Sequence, residues 1–203
     1  MDRRILGVLF ILAFFLWIGA GVWTFAHARG GVETAAYSVV DRHGKFEVRD
    51  YPALAVVRTP LDPAATGNAM NGSFQRLYAY LRGENVRAEK IAMTAPILVE
   101  RSAADGTMSF ILPRAVAPDA PAPTGPGVAA ATIPAGRYAI LRYTGGRDRK
   151  SEEAALARLR DRLPRLHWIA EGEPRFAYYD PPWVPFFLRR NEVLLPVHVA
   201  PGQ

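Results

Sequence analysis

The apolar pattern of this chain changes period twice in the same order, and that repetition constrains the fold more than any other feature. Short alternating runs at residues 36–40, 45–51 and 53–59, parted by His43-Gly44 and Pro52, read as strands. Over 68–82 the period lengthens: Met70, Phe74, Leu77, Tyr78 and Leu81 share one helix face, and Gly83 supplies a stop. Strand-like runs return at 90–100 and 107–113, and a proline- and alanine-rich connector at 114–127 reads as extended and weakly packed. The order then repeats, with strands at 128–134 and 137–145, a helix at 151–163, and strands at 175–182 and 191–199. In the second helix Ser151 stands as N-cap, Glu152 and Glu153 occupy the first turn, and Leu156, Leu159 and Leu163 form the buried stripe before Pro164. Neither ββαββ half can bury its helix alone. The expected fold is α+β, with the two halves joined into one antiparallel, barrel-like core flanked by two helices.

Residues 5–26 form a run of 22 without a charge. As a helix it would reach roughly 33 Å, against about 30 Å of hydrocarbon. Arg3 and Arg4 precede it, so an N-terminal transmembrane helix would keep the N-terminus cytoplasmic and send the rest across. The predicted organisation is a membrane anchor or signal segment at 1–28, a linker at 29–35 and one domain at 36–203. The domain would then be anchored to the inner membrane on its periplasmic, extracytoplasmic side. The alternative is secretion after cleavage near Ala28, where Ala26-His27-Ala28 has the small-x-small pattern. With no cysteine there are no thiolate nucleophiles, lipoprotein anchors or cysteine metal sites. The formal charge of +6 comes from scattered arginines, with lysine only at 45, 90 and 150. That pattern speaks against a nucleic-acid stripe and for a generally basic surface near anionic lipid.

Three stretches carry a family resemblance: "KIAMTAPI" at 90–97, "YYDPPWVPFFLRRNEV" at 178–193 and "GKFEVRDYPALAVV" at 44–57. Together and in this order they resemble the SOUL haem-binding protein family from about residue 37 to 197. The resemblance implies a distorted antiparallel β-barrel from two ββαββ repeats, flanked by two helices. It also implies non-covalent binding of haem or a related porphyrin between the first helix and the loop before the last strand. Asn71 and Ala79 stand where the family's helix carries basic residues.

A tetrapyrrole is a flat apolar plate with two carboxylates, so it needs an apolar cleft with a basic edge. Met70, Phe74 and Tyr78 on the first helix, with Trp183 and Val184 in the proline loop, are the candidates for the cleft. Arg189, Arg190 or Lys90 are the candidates for the carboxylates. The blander reading makes the helix stripe core and Arg189 to Glu192 a structural ion network at a strand entrance. For an iron ligand His43 is the candidate among the histidines, with Met70 and Tyr178 also open. No G-x-S-x-G, H-E-x-x-H, P-loop or dinucleotide fingerprint occurs, so the expected role is binding rather than catalysis. The alternatives are an effector or protein-interaction module holding another flat organic ligand, and an enzyme acting on the tetrapyrrole itself.

Overall fold

The computed structural model describes residues 31–61, 72–101 and 106–200. In chain order the elements are β1 (Ser38–His43), β2 (Phe46–Tyr51), β3 (Leu54–Pro60), α1 (Gly72–Leu81), β4 (Ile97–Glu100), β5 (Thr107–Ile111), β6 (Ala129–Ile133), β7 (Gly136–Tyr143), α2 (Arg149–Arg162), β8 (Trp168–Ala170), β9 (Arg175–Tyr178) and β10 (Asn191–Val199). All pairings between these strands are antiparallel, and the sheet runs β1-β2-β7-β10-β9-β4-β5-β3-β6, with β8 added to the far end of β10.

The two expected halves are present, but each lends its first strand to the other. β2 pairs with β7 of the second half, and β6 pairs with β3 of the first. Two-residue links, Pro52-Ala53 and Pro134-Ala135, tie these exchanged strands to their own halves. Three Cα steps span at most about 11 Å, so the sheet must curl until its ends come close. It does not close. β1 and β6 remain edges with largely exposed residues, and a bulge between Val39 and Asp41 bends β1. The expected barrel is therefore an open, curled sheet. Among the described residues β1 pairs only with β2 and β6 only with β3, so no ladder joins the two edges.

Alternation sends residues of each strand to two faces. One face, with Phe46, Val48, Val57, Phe110, Leu141, Phe176, Val193 and Leu195, is covered by both helices. α1 lies on β3 and β5, while α2 lies on β7 and β10, so each helix covers strands of its own half. The other face, with Tyr51, Val56, Leu98, Ile111, Tyr138, Ile140 and Leu194, packs inside the curl.

Several local expectations are corrected. The run from Lys90 becomes a strand only at Ile97. Before it a cis Ala95–Pro96 bond and a bridge from Ala95 to Thr34 replace the ladder, and the Thr94 hydroxyl donates to the Ile111 carbonyl at 2.5 Å. Asp148, not Ser151, caps α2, because its carboxylate accepts the Ser151 amide at 2.9 Å and the Ser151 hydroxyl at 2.9 Å. The 114–127 connector is docked: Val86 N–H donates to Ala122 C=O at 3.0 Å, Thr124 N–H to Glu84 C=O at 3.2 Å, and the buried Tyr80 hydroxyl to Pro121 C=O at 2.9 Å. Proline holds such a segment extended at small entropic cost, which makes it a good partner for the turn after α1. The proposed anchor at 5–26 and Met70 lie outside the described residues; among the described residues no helix is long and apolar enough to cross a membrane.

Candidate functional site

α1 is seated by its buried side. Leu77, Tyr80 and Leu81 face the sheet, and the Ser73 hydroxyl donates to Pro60 C=O at 3.0 Å. This orientation places Phe74 and Tyr78, one turn apart, with ring centroids 5.8 Å apart and planes 19° from parallel. Phe74 is the inner ring and meets Phe110 edge-on at 5.3 Å. Tyr78, for which the sequence left a cleft and a core role open, is 38% exposed, and the Arg82 guanidinium lies 6.0 Å from its ring. The result is an aromatic shelf with a cation at its rim. Tyr80, which the periodicity did not single out, takes the buried place instead.

The proline loop between β9 and β10 is built differently. Val184 is buried, and the nearly fully buried Arg189 folds back into its own loop, donating from Nε to Val184 C=O at 2.7 Å and from Nη2 to Pro182 C=O at 2.6 Å. Arg147 donates to Asp180 C=O, the Asp180 carboxylate accepts the Arg190 amide at 2.5 Å, and Gly145 N–H donates to Phe186 C=O at 3.1 Å. Arg189 is therefore tied up in shaping the loop. Trp183 points away, 79% exposed. The structure thus joins Phe74 to Tyr78 and Val184 to Arg189; the first pair packs on β5, and the loop is bonded to the turn before α2. Removing the guanidinium leaves the buried Val184 carbonyl and the partly buried Pro182 carbonyl without these donors. Arg189→Ala is expected to lower stability by about 2 kcal/mol and to open residues 183–188 to limited proteolysis, read by thermal melts and peptide mapping.

Of the remaining candidates, Lys90 is exposed and Arg190 pairs with Glu192 at 2.8 Å. His43 sits at the end of β1 with Nε2 3.0 Å from the Asp41 carboxylate, half exposed. Tyr178 is buried and its hydroxyl donates to Glu152. Among the described residues no group of three or more His, Cys, Asp or Glu could hold a metal ion.

Two buried charge networks stand apart from the shelf; the first contains Arg190 and Glu192, which the sequence offered as part of a structural ion network at a strand entrance, and adds partners from distant strands. Inside the curl, Arg49 is 1% exposed and Glu192 is fully buried. Arg49 Nη1 and Nη2 donate to the two Glu192 oxygens at 2.8 and 3.2 Å, and Nε donates to Glu47 at 2.6 Å. Tyr179 donates its hydroxyl to Glu192 at 2.9 Å, and Arg142 and Arg190 complete the cage. Burial alone would raise the Glu192 pKa; the hydrogen bonds and charges of Arg49 and Arg190 outweigh it and hold it at about 2. Under α2, Glu152 is 1% exposed and accepts from Arg101 Nε at 2.5 Å and Nη2 at 3.0 Å as well as from Tyr178. The signal for the first network was alternation, since Glu47, Arg49 and Tyr51 must share one face of "KFEVRDY".

The crevice inside the curl, lined by Tyr51, Leu98, Ile111, Tyr138 and Leu194 among others, holds about 20 Å³, enough for water but no organic guest. Among the described residues, the Phe74–Tyr78 pair with Arg82 is an outer surface that combines stacked rings with a cation. The description "SOUL heme-binding protein" matches residues 32–196. The chain belongs to the SOUL family. Members of this family bind haem or tetrapyrroles. No curated protein matches the chain. Among solved structures, the C-terminal domain of EcmrR has a TM-score of 0.55 at 13% identity, covering 81% of this chain and 99% of that one. A hydrolase from Listeria innocua has a TM-score of 0.53 at 13% identity, covering 78% and 94%. At these identities the likeness is one of fold alone.

Proposed function

We propose that this SOUL protein is an exported, membrane-anchored module that binds haem or a related porphyrin non-covalently, for carriage, buffering or sensing. The observation that carries the reading is the family match across residues 32–196, and the exposed Phe74–Tyr78 shelf supports it on the surface of the chain. Tyr78 would lie against the ring face, Phe74 would support it from beneath, and Arg82 would meet a carboxylate. Met70 stands two positions before α1 in the sequence. A bound haem would supply its own redox and ligand-binding chemistry. Burying roughly 400 Å² of apolar surface is worth about 10 kcal/mol gross, before the costs of association, so recognition can rest on the ring without an iron bond. The apolar run at 5–26 supports anchoring and export.

Titration of the chain with hemin is expected to give a saturable Soret band, and iron-free protoporphyrin is expected to compete within about tenfold. Tyr78→Ala should weaken binding about tenfold or more while the chain stays folded with a loss of only about 1–2 kcal/mol in stability, from the stacking on Phe74. Absence of a Soret change in the folded chain would defeat the reading, and unaltered affinity in Tyr78→Ala would move the site off the shelf.

A further inference from the structure

The proline loop presents four large apolar side chains to the outside. Trp183 is 79% exposed, Phe186 and Phe187 are each 61% exposed, and Leu188 is 49% exposed. Phe186 and Phe187 stand edge to face, 5.5 Å apart at 87°, on the single helical turn Phe186–Leu188. A loose loop would fold such residues inward to shed apolar surface. This one is held in place: Val184 is buried, Arg189 binds two of its carbonyls, and Leu188 N–H donates to Pro185 C=O at 2.9 Å. Many of its polar backbone groups are thus satisfied internally while the apolar side chains stay outside. That division suits contact with a hydrocarbon boundary, where an unpaired amide or carbonyl is costly.

Two further observations indicate which apolar phase would cover it. β4 and β9 are neighbours in which Ile97 pairs with Tyr178, so the segment before Ile97 and the loop after Tyr178 leave the sheet at the same end. Ala95, in that segment, accepts from Ala35 N–H at 3.4 Å and donates to Glu33 C=O at 2.8 Å. The chain therefore enters the domain at the sheet end from which the loop leaves, and Glu33 follows the last residue of the uncharged 5–26 run by only seven positions. Arg149 and Lys150, both exposed, open α2 next to the turn that holds Phe186, while the Asp148 carboxylate is turned into the α2 cap and Glu153 is exposed one turn on. Aromatic side chains flanked by cations match the interface of an anionic bilayer.

We propose that the loop with Trp183, Phe186, Phe187 and Leu188 docks into the surface of the membrane to which the N-terminal run tethers the chain, fixing how the domain faces that membrane. The inference draws on the proposed anchor and is independent of tetrapyrrole binding.

The natural chain has no cysteine, so one introduced by substitution can be labelled uniquely. The full chain carrying Phe187→Cys with a nitrobenzoxadiazole label is reconstituted, without hemin, in vesicles of phosphatidylcholine and phosphatidylglycerol. Glu173→Cys, just before the opposite end of β9, is the control. Label at 187 is expected to shift to the blue and to be quenched at least threefold more by nitroxide lipids than label at 173. Adding Trp183→Ser and Phe186→Ser should reduce that quenching to the control level with an unchanged circular dichroism spectrum, because both side chains are exposed. Equal quenching at both positions, failure of the chain to associate with vesicles, or protection of label 187 by a second copy or another protein without lipid quenching would each overturn the proposal. A separate hemin titration of the same variants reads the tetrapyrrole site, so failure of one reading is distinguishable from failure of the other.

Discussion

Replacing Arg49 with methionine is expected to destabilise the domain by about 3–5 kcal/mol, because it leaves the fully buried Glu192 without its two-pronged partner. Glu192→Leu should cost less, about 2–4 kcal/mol, because the 1%-exposed Arg49 guanidinium loses its two-pronged acceptor but keeps Glu47. The double variant should be less destabilised than the sum, and less than at least one single change, since Arg142 and Arg190 are partly exposed and can turn to water. Urea unfolding of the four chains measures this coupling; strict additivity would show that the cage is not a unit. The same carboxylate sets an acid limit. Its folded pKa is held at about 2, below an ordinary 4.5, so its contribution of about 3 kcal/mol is complete above pH 4.5 and is lost as pH falls toward 2. In Arg49→Met the acid transition should move to higher pH.

The second large effect separates two adjacent acids. Glu152→Ala is expected to cost about 2–4 kcal/mol, since Arg101 and the buried Tyr178 hydroxyl both lose their acceptor and α2 loses its tie to the sheet. Glu153→Ala, at an exposed position, should stay within about 0.5 kcal/mol. Equal effects in thermal melts would show that both residues act only through the helix terminus.

These two acids also illustrate what could be read in advance. Both stand in the first turn of a helix, and the sequence alone treated them alike. Only the long-range approach of Arg101 and Tyr178 distinguishes them. Periodicity was sufficient for the two helices, for most strands and for Leu77 and Leu81 as core, because those depend on neighbours within a turn or two. It grouped Tyr78 with Leu77 and Leu81 and overlooked Tyr80, since a helix face about 100° wide does not say where its edge lies until the partner sheet is known. Strand β8 was missed, as three residues paired only with the end of β10 leave no period to detect. "KIAMTAPI" was read as a strand from its alternation, but its first six residues turn aside to receive Glu33 and Ala35, segments over fifty residues away. Closure of the barrel turned on hydrogen bonds between edges, which no local pattern encodes. For the candidate site, the shelf was legible as a residue set and the loop as a proline motif. That Arg189 faces inward and Trp183 outward required the coordinates.

The crossing of β2 and β6 between halves has a bearing on how such a chain is assembled. A fragment carrying only one ββαββ unit would leave an open edge on β3 or β7, and in the second unit β6 would have no partner of its own. It would therefore be an unstable monomer but a ready partner for its complement. Two separately made halves would meet in a concentration-dependent association, which their covalent linkage in this chain makes intramolecular.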